Sequence, residues 1–251
     1  MTFERNPGPP AEASPTPVIG DRSAAPTPVQ LRLQILSTEH WSLLASRGLA
    51  WNESFTRAGM FLTTLSGAMV ALALVAGLDK TGDAFFLFAI VLLPVVLFIG
   101  VVTLLRLGAS NQHDAICVIG MNRIRGAYLE IAPDLAPYFV MSPHDDPPGM
   151  YVTQVVPSNL GTWQFIAAST PFLVTVLNAV IAGAIVAVVL LRVGAPLAII
   201  LVAAVLGFAA LMTVQARISR ANMVRVQSEL RPMFPSPVAS PAPAEGDRPA
   251  A

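Results

Sequence analysis

The sequence predicts an all-α polytopic membrane protein: four transmembrane helices, with the first, second and fourth extended into a cytoplasmic helical bundle. Three observations predict it. The chain is 54% hydrophobic and only 12% charged, where a soluble domain carries roughly 25% charged residues. Its 15 basic and 15 acidic residues lie almost wholly outside four long apolar runs. Amphipathic segments with a helical period then run into those apolar runs without a visible break.

Crossing a bilayer takes about 20 apolar residues. The first span is read at 58–78, between Arg57 and Asp79, and the second at 84–105, between Asp83 and Arg106. The third is read at 165–191 and the fourth at 193–214. Each is apolar on all faces, which a surface helix of a soluble domain is not. The connections "DKTGD" and "RVGAP" are tight. The spans therefore pair as two hairpins, 58–105 and 163–214. Pro94 and Pro171 fall inside spans and are expected to kink them locally.

The ends read differently. Residues 1–28 and 232–251 are rich in proline and alanine and too poor in apolar residues to offset ordering entropy, so both read as disordered tails. The amino-terminal stretch has no apolar core of signal-peptide type. Between tails and spans lie a cytoplasmic amphipathic helix at 29–57, a second at 106–132, a loop at 133–162 and a third helix at 215–231.

Orientation follows from the basic residues. Thirteen of the 15 lie on the side holding both tails and the 106–162 connection. Lys80 and Arg192 lie on the other. The crowded side is read as cytoplasmic, which gives a multi-pass plasma-membrane protein with both termini inside. Fourteen of the 15 are arginine, the usage of a high-G+C bacterial genome.

The arms carry apolar stripes. In "LRLQILSTEHWSLLASRGLAWNESFTR", Trp41, Leu44, Gly48, Trp51 and Phe55 share one helix face. Glu53 and Arg57 form an i, i+4 pair in the favourable order. After Arg106, Cys117, Met121, Ile124, Tyr128 and Ile131 repeat at four and three, and Pro133 stops the helix. The simplest arrangement is an antiparallel hairpin in which Trp41, Trp51 and Phe55 pack on Met121 and Tyr128. Val214, Ile218, Ala221 and Val224 would add a third helix. The rival reading lays 31–57 flat on the membrane.

Chemistry is sparse. No span contains Asp, Glu, Lys, Arg or His, which argues against a proton-driven transporter. Pro171, Thr175, Asn178 and Ala182 share one face of the third span. Thr175 and Asn178 are the candidate intramembrane polar face, as pore lining or as interhelical hydrogen bonding. Small residues recur every four positions: Gly59, Thr63, Gly67 and Ala71, then Ala179, Gly183 and Ala187, then Ala203 and Gly207. Such stripes let helices approach closely, within one chain or between chains. "HDD" at 144–146 is an incomplete metal set. A single cysteine, Cys117, forms no intrachain disulfide. No GxSxG, Walker-type or HExxH pattern occurs. Catalytic, cofactor and metal residues are therefore read as none.

The order of parts around "NRIRGAYLEIAP", over residues 31–135, resembles several bacterial multipass proteins. It is similar in layout to the SLATT-type membrane effectors of bacterial conflict systems, which also join paired spans to cytoplasmic helices. That resemblance implies a nucleotide-sensing partner on another chain, and it transfers no site residue.

The functional expectation is a non-enzymatic four-span membrane protein that self-associates and uses its cytoplasmic bundle to sense or dock a protein partner. The alternative is a small-solute channel or transporter component lined by Thr175 and Asn178. Beyond the bilayer, a second copy and that cytoplasmic protein, no partner is indicated. Zero net charge gives no footprint for nucleic acid.

Overall fold

The first helix begins where its sequence allows. The run Thr27-Pro28-Val29-Gln30 closes a reciprocal cap: Gln30 N–H donates to Thr27 Oγ1 at 3.2 Å, and Thr27 N–H donates to Gln30 Oε1 at 2.8 Å. Proline at the first helical position loses nothing, because its missing N–H would be unpaired there anyway. In this computed structural model, which describes residues 27–78, 82–156, 159–229 and 231–237, α1 then runs unbroken over Pro28–Leu78. At 1.5 Å per residue it is about 76 Å long.

Helix α2 (Asp83–Ile131) mirrors it, with Pro94 in its interior. It ends before Pro133, whose ring disfavours helix in the preceding residue. A 3-10 helix follows at Pro133–Tyr138. Two short helices follow: α3 (Pro147–Gln154) falls in the stretch read from sequence as loop, and α4 (Thr162–Ala167) covers the end of that loop and the start of the stretch read as the second hairpin. Their starts have local causes. Asp146 caps α3 by accepting from Gly149 N–H at 2.9 Å, and Pro147 opens the helix. The last two helices are α5 (Thr170–Arg192) and α6 (Leu197–Glu229). Gly194 turns the chain between them with φ +73°, a conformation that only glycine adopts cheaply.

The third span starts later than its sequence suggests. Ser169 Oγ caps α5 by accepting from Phe172 N–H, so Pro171 lies in the first turn and kinks nothing. The apolar residues at 165–167 belong to α4 instead.

Four helices are long and apolar enough to cross a membrane: α1, α2, α5 and α6. They form a row in chain order, with α1 on α2, α2 on α5 and α5 on α6. Phe61 and Ala68 of α1, Val96 and Leu107 of α2, and Val174 and Ile181 of α5 form the buried core along that row. α2 is its centre, because the 3-10 helix and α3 also pack on its carboxyl half. A row has two free ends, the outer faces of α1 and α6. The face expected to add a third arm stays open: Val214, Ile218 and Val224 on α6 are all exposed.

Candidate functional site

The seam between α1 and α2 extends beyond the apolar spans. Facing partners run in step, Phe61 with Gly100, Leu43 with Gly120, then Arg32 with Glu130. One antiparallel register therefore holds from span to arm tip. Within the arms the inward face of α1 is a four-three stripe: Leu36, His40, Leu43, Arg47, Ala50 and Ser54, all at least partly buried.

That stripe corrects the expected packing. Trp41, Trp51 and Phe55 do not face α2; they are 66, 51 and 64% exposed. Met121 is buried and Tyr128 half-buried, as placed by the α2 stripe. The reason is polar matching. Rotating α1 to bury its tryptophans would pull Arg47 away from Asp114, a charge that α2 holds in the seam. Arg47 Nε donates to Asp114 Oδ1 at 2.5 Å, and Gln154 of α3 donates to Oδ2 at 3.0 Å. The Arg47 guanidinium also lies 4.8 Å from the centroid of the Trp51 ring.

Closer to the spans the seam opens into a cleft of about 340 Å³, lined by Ser46, Leu49, Glu53, Arg106, Ser110 and His113 among others. Glu53 ties its floor by accepting from Arg57 Nε at 2.9 Å and Arg106 Nε at 2.8 Å. Hydrogen bonding from Arg106 and then Arg57 holds its carboxyl down at about 2. Ser46 Oγ lies 2.7 Å from His113 Nε2. This hydroxyl–imidazole pair has the spacing of a nucleophile and base. Both residues are mid-helix, however, where backbone N–H groups are consumed by the helix and supply no oxyanion donors. Cys117, near the same ring at 3.7 Å, is pushed up by burial and then by the Asp114 carboxylate, so its thiol stays protonated and inert.

Two buried asparagines behave oppositely. Asn122, off the expected stripe of α2, is fully enclosed. It donates to the His144 carbonyl at 2.8 Å and accepts from Arg125 at 2.7 Å and Thr153 at 3.2 Å. It ties three parts of the arm region together, and nothing in its periodicity singles it out. Asn178, in α5, is also 0% exposed. Among the described residues neither of its amide atoms has a hydrogen-bond partner. Gly100 makes room for it, since a Cβ there would collide with Asn178 Oδ1. Thr175 donates to the Pro171 carbonyl of its own helix at 2.7 Å. The pair thus faces inward, with Asn178 wedged against α2.

The three small-residue stripes separate. Gly183 packs on the Ala204 carbonyl and Gly207 on Val186, so two stripes close α5 onto α6 within the chain. Gly59 and Gly67 face open space. Of the acidic pair beside His144, both carboxylates bind backbone N–H groups of residues 233–236. Residues 232–237, read from sequence as the start of a disordered tail, are thus held against the arm region. Among the described residues no three His, Cys, Asp or Glu converge as a metal cluster. No protein-family model, curated protein or solved structure matches the chain.

Proposed function

We propose that this protein is a non-enzymatic, four-span membrane protein that self-associates along the outer face of α1. One observation carries the reading: the side of α1 turned away from α2 stays open across the level where the span begins. Trp41 lies exposed on it in the arm, with Trp51 and Phe55 exposed on its flank, and Gly59, Thr63 and Gly67 lie exposed in the span. The same residue types at Gly183 and Gly207 are already covered within the chain.

The physics of the two halves is complementary. In lipid, helices gain little from apolar contact and associate where small residues let backbones approach. In water, three exposed aromatic rings favour burial strongly. A second copy of this chain inserted the same way satisfies both. Two-fold symmetry about the membrane normal brings α1 onto α1 in parallel, so each residue meets its own equivalent. The arms then project about 45 Å from the bilayer, on the side holding thirteen of the 15 basic residues. That side is the cytoplasmic one under the positive-inside rule.

The test uses cysteine cross-linking of full-length protein in native membranes, in a Cys117→Ser background. Thr63→Cys and Trp41→Cys are both expected to give covalent dimers. Val205→Cys, exposed on α6 at the other end of the row, is expected to stay monomeric. Cross-linking through Val205→Cys alone would move the contact to α6 and overturn the reading.

A further inference from the structure

The chain returns after α6 and seats itself beside the end of α2. Residues 231–237 read Arg-Pro-Met-Phe-Pro-Ser-Pro. Arg123 Nη2 donates to the Arg231 carbonyl at 2.7 Å. Asp145 accepts from Met233 N–H at 2.9 Å and Phe234 N–H at 2.8 Å, and its own N–H donates to the Phe234 carbonyl at 3.2 Å. Asp146 accepts from Ser236 N–H at 2.6 Å and Ser236 Oγ at 2.8 Å. The Phe234 ring lies on Gly126, where a Cβ would collide with it.

This is the pattern of peptide recognition. Between Pro232 and Pro237, three residues are prolines without an N–H. The three N–H groups that remain all bond a carboxylate of Asp145 or Asp146. The prolines fix φ before the segment docks, which lowers the ordering cost of binding. The receptor is equally prepared. The Asp145 side chain is fully buried, and the Arg123 guanidinium bonds it. Asp146 is already fixed as the cap of α3. Burial alone would push both carboxyls up. The N–H groups of Met233 and Ser236, with their neighbours, outweigh that and hold both below the ordinary value.

We propose that Arg123, Gly126, Asp145 and Asp146 form a peptide-recognition groove whose resident ligand is residues 231–237 of the same chain, seated as a releasable strap that ties the end of α6 to α2. The ligand class is a short proline-rich peptide that bends at an aromatic residue and presents free N–H groups around it. The seated strap blocks the groove to any such peptide in trans. A tethered segment acts at an effective concentration on the order of 1 mM. Unseating it therefore opens the groove.

The test titrates full-length variants in nanodiscs with a fluorescent peptide of residues 231–237, read by anisotropy. Phe234→Ala removes the ring, and Ser236→Glu sets a carboxylate against Asp146; either unseats the strap and leaves the groove intact. For a peptide of roughly 100 μM intrinsic Kd, both are expected to bind about tenfold more tightly than the wild-type chain. Adding Asp145→Asn to either variant is expected to abolish that gain. Equal binding to wild type and both strap variants, or no binding to any, overturns the proposal. So does a gain that survives Asp145→Asn. The readout is per chain, so it does not depend on self-association through α1.

Discussion

The contact between α5 and α6 and the outer face of α1 are made of the same residue types and serve opposite ends. Gly183 and Gly207 are filled by neighbours, the Ala204 carbonyl and the Val186 side chain. Gly59 and Gly67 have nothing within reach of an added Cβ. A small-residue stripe therefore does not say whether it closes a chain or joins two. What decides is how far apart the stripes lie in the row. α5 and α6 are joined by a short turn and meet each other. The α1 stripe points away from α2, at the end of the row, where none of the described residues covers it.

The most drastic way to break that comparison is to fill both kinds of stripe with the same residue. Gly183→Leu drives a side chain into the backbone carbonyl of Ala204, which cannot rotate away. Overpacking of this kind costs about 1–3 kcal/mol or more. The expected outcome is a marked fall in unfolding temperature and folded yield in detergent. Gly67→Leu meets only open space among the described residues, so its effect on unfolding is expected within about 0.5 kcal/mol, while the proposed dimer is expected to dissociate. Equal drops in unfolding temperature for the two variants would show that α1's stripe is used inside the chain.

The arms sharpen the comparison at intermediate scale. Arg47 and Trp51 are one turn apart on α1, one in the seam and one outside it. Arg47→Ala leaves the Asp114 carboxylate, largely withdrawn from water, with the hydrogen bond from Gln154 and no cation beside it among the described residues. Leaving a buried acceptor short of its partner costs about 1–3 kcal/mol, and the arms are expected to become protease-sensitive between residues 31 and 57. Trp51→Ala removes an exposed ring and its contact with the Arg47 guanidinium, about 0.5–1 kcal/mol. It is expected to spare the arms and weaken the proposed contact between copies. If proteolysis of the arms tracks Trp51 rather than Arg47, the seam is not held by its polar pairs.

What could be read from sequence was what depends on one residue's own character. The helix end at Leu78, the stop before Pro133 and the Glu53–Arg57 pair all follow from local chemistry, and all are seen. The α2 stripe was legible because apolar spacing alone sets it: Cys117, Met121 and Ile124 are buried. The α1 stripe misled for the opposite reason. The side it turns to α2 carries Arg47 and Ser46, and polar residues read as solvent-facing until their partners Asp114 and His113 on α2, far away in sequence, are known. Asn122 was hidden likewise, since its bonds reach residues 22 and 31 positions away. Two signals were available and pass easily unnoticed: Ser169 before Thr-Pro, and Asp146 before Pro-Pro, each a helix start inside a stretch that reads as span or loop. Nothing local marked residues 233–236 as a ligand, because the carboxylates that hold them lie 88 to 90 positions earlier.

The smallest expected effect lies at the cleft floor, on the α1 side that faces the chain itself. Glu53 accepts from both Arg106 and Arg57, and those bonds hold its carboxyl at about 2 against an ordinary 4.5. The folded value is the lower one, so the contribution is fully present above about pH 4.5. It declines as the pH falls and is lost as the pH passes through about 2. At pH 4 an unpaired glutamate is largely protonated, while this one still bridges the two arginines. The group is exposed to solvent, so the effect is modest and shrinks in high salt. Spin labels on α1 and α2 flanking the cleft measure it as an inter-arm distance distribution. Wild type and Glu53→Gln are expected to differ at pH 7 and still at pH 4, and to converge only near pH 2. Convergence already near pH 4.5 would mean that the two arginines do not hold Glu53. The polar seam between the arms would then begin farther from the spans, at Ser46 and Arg47.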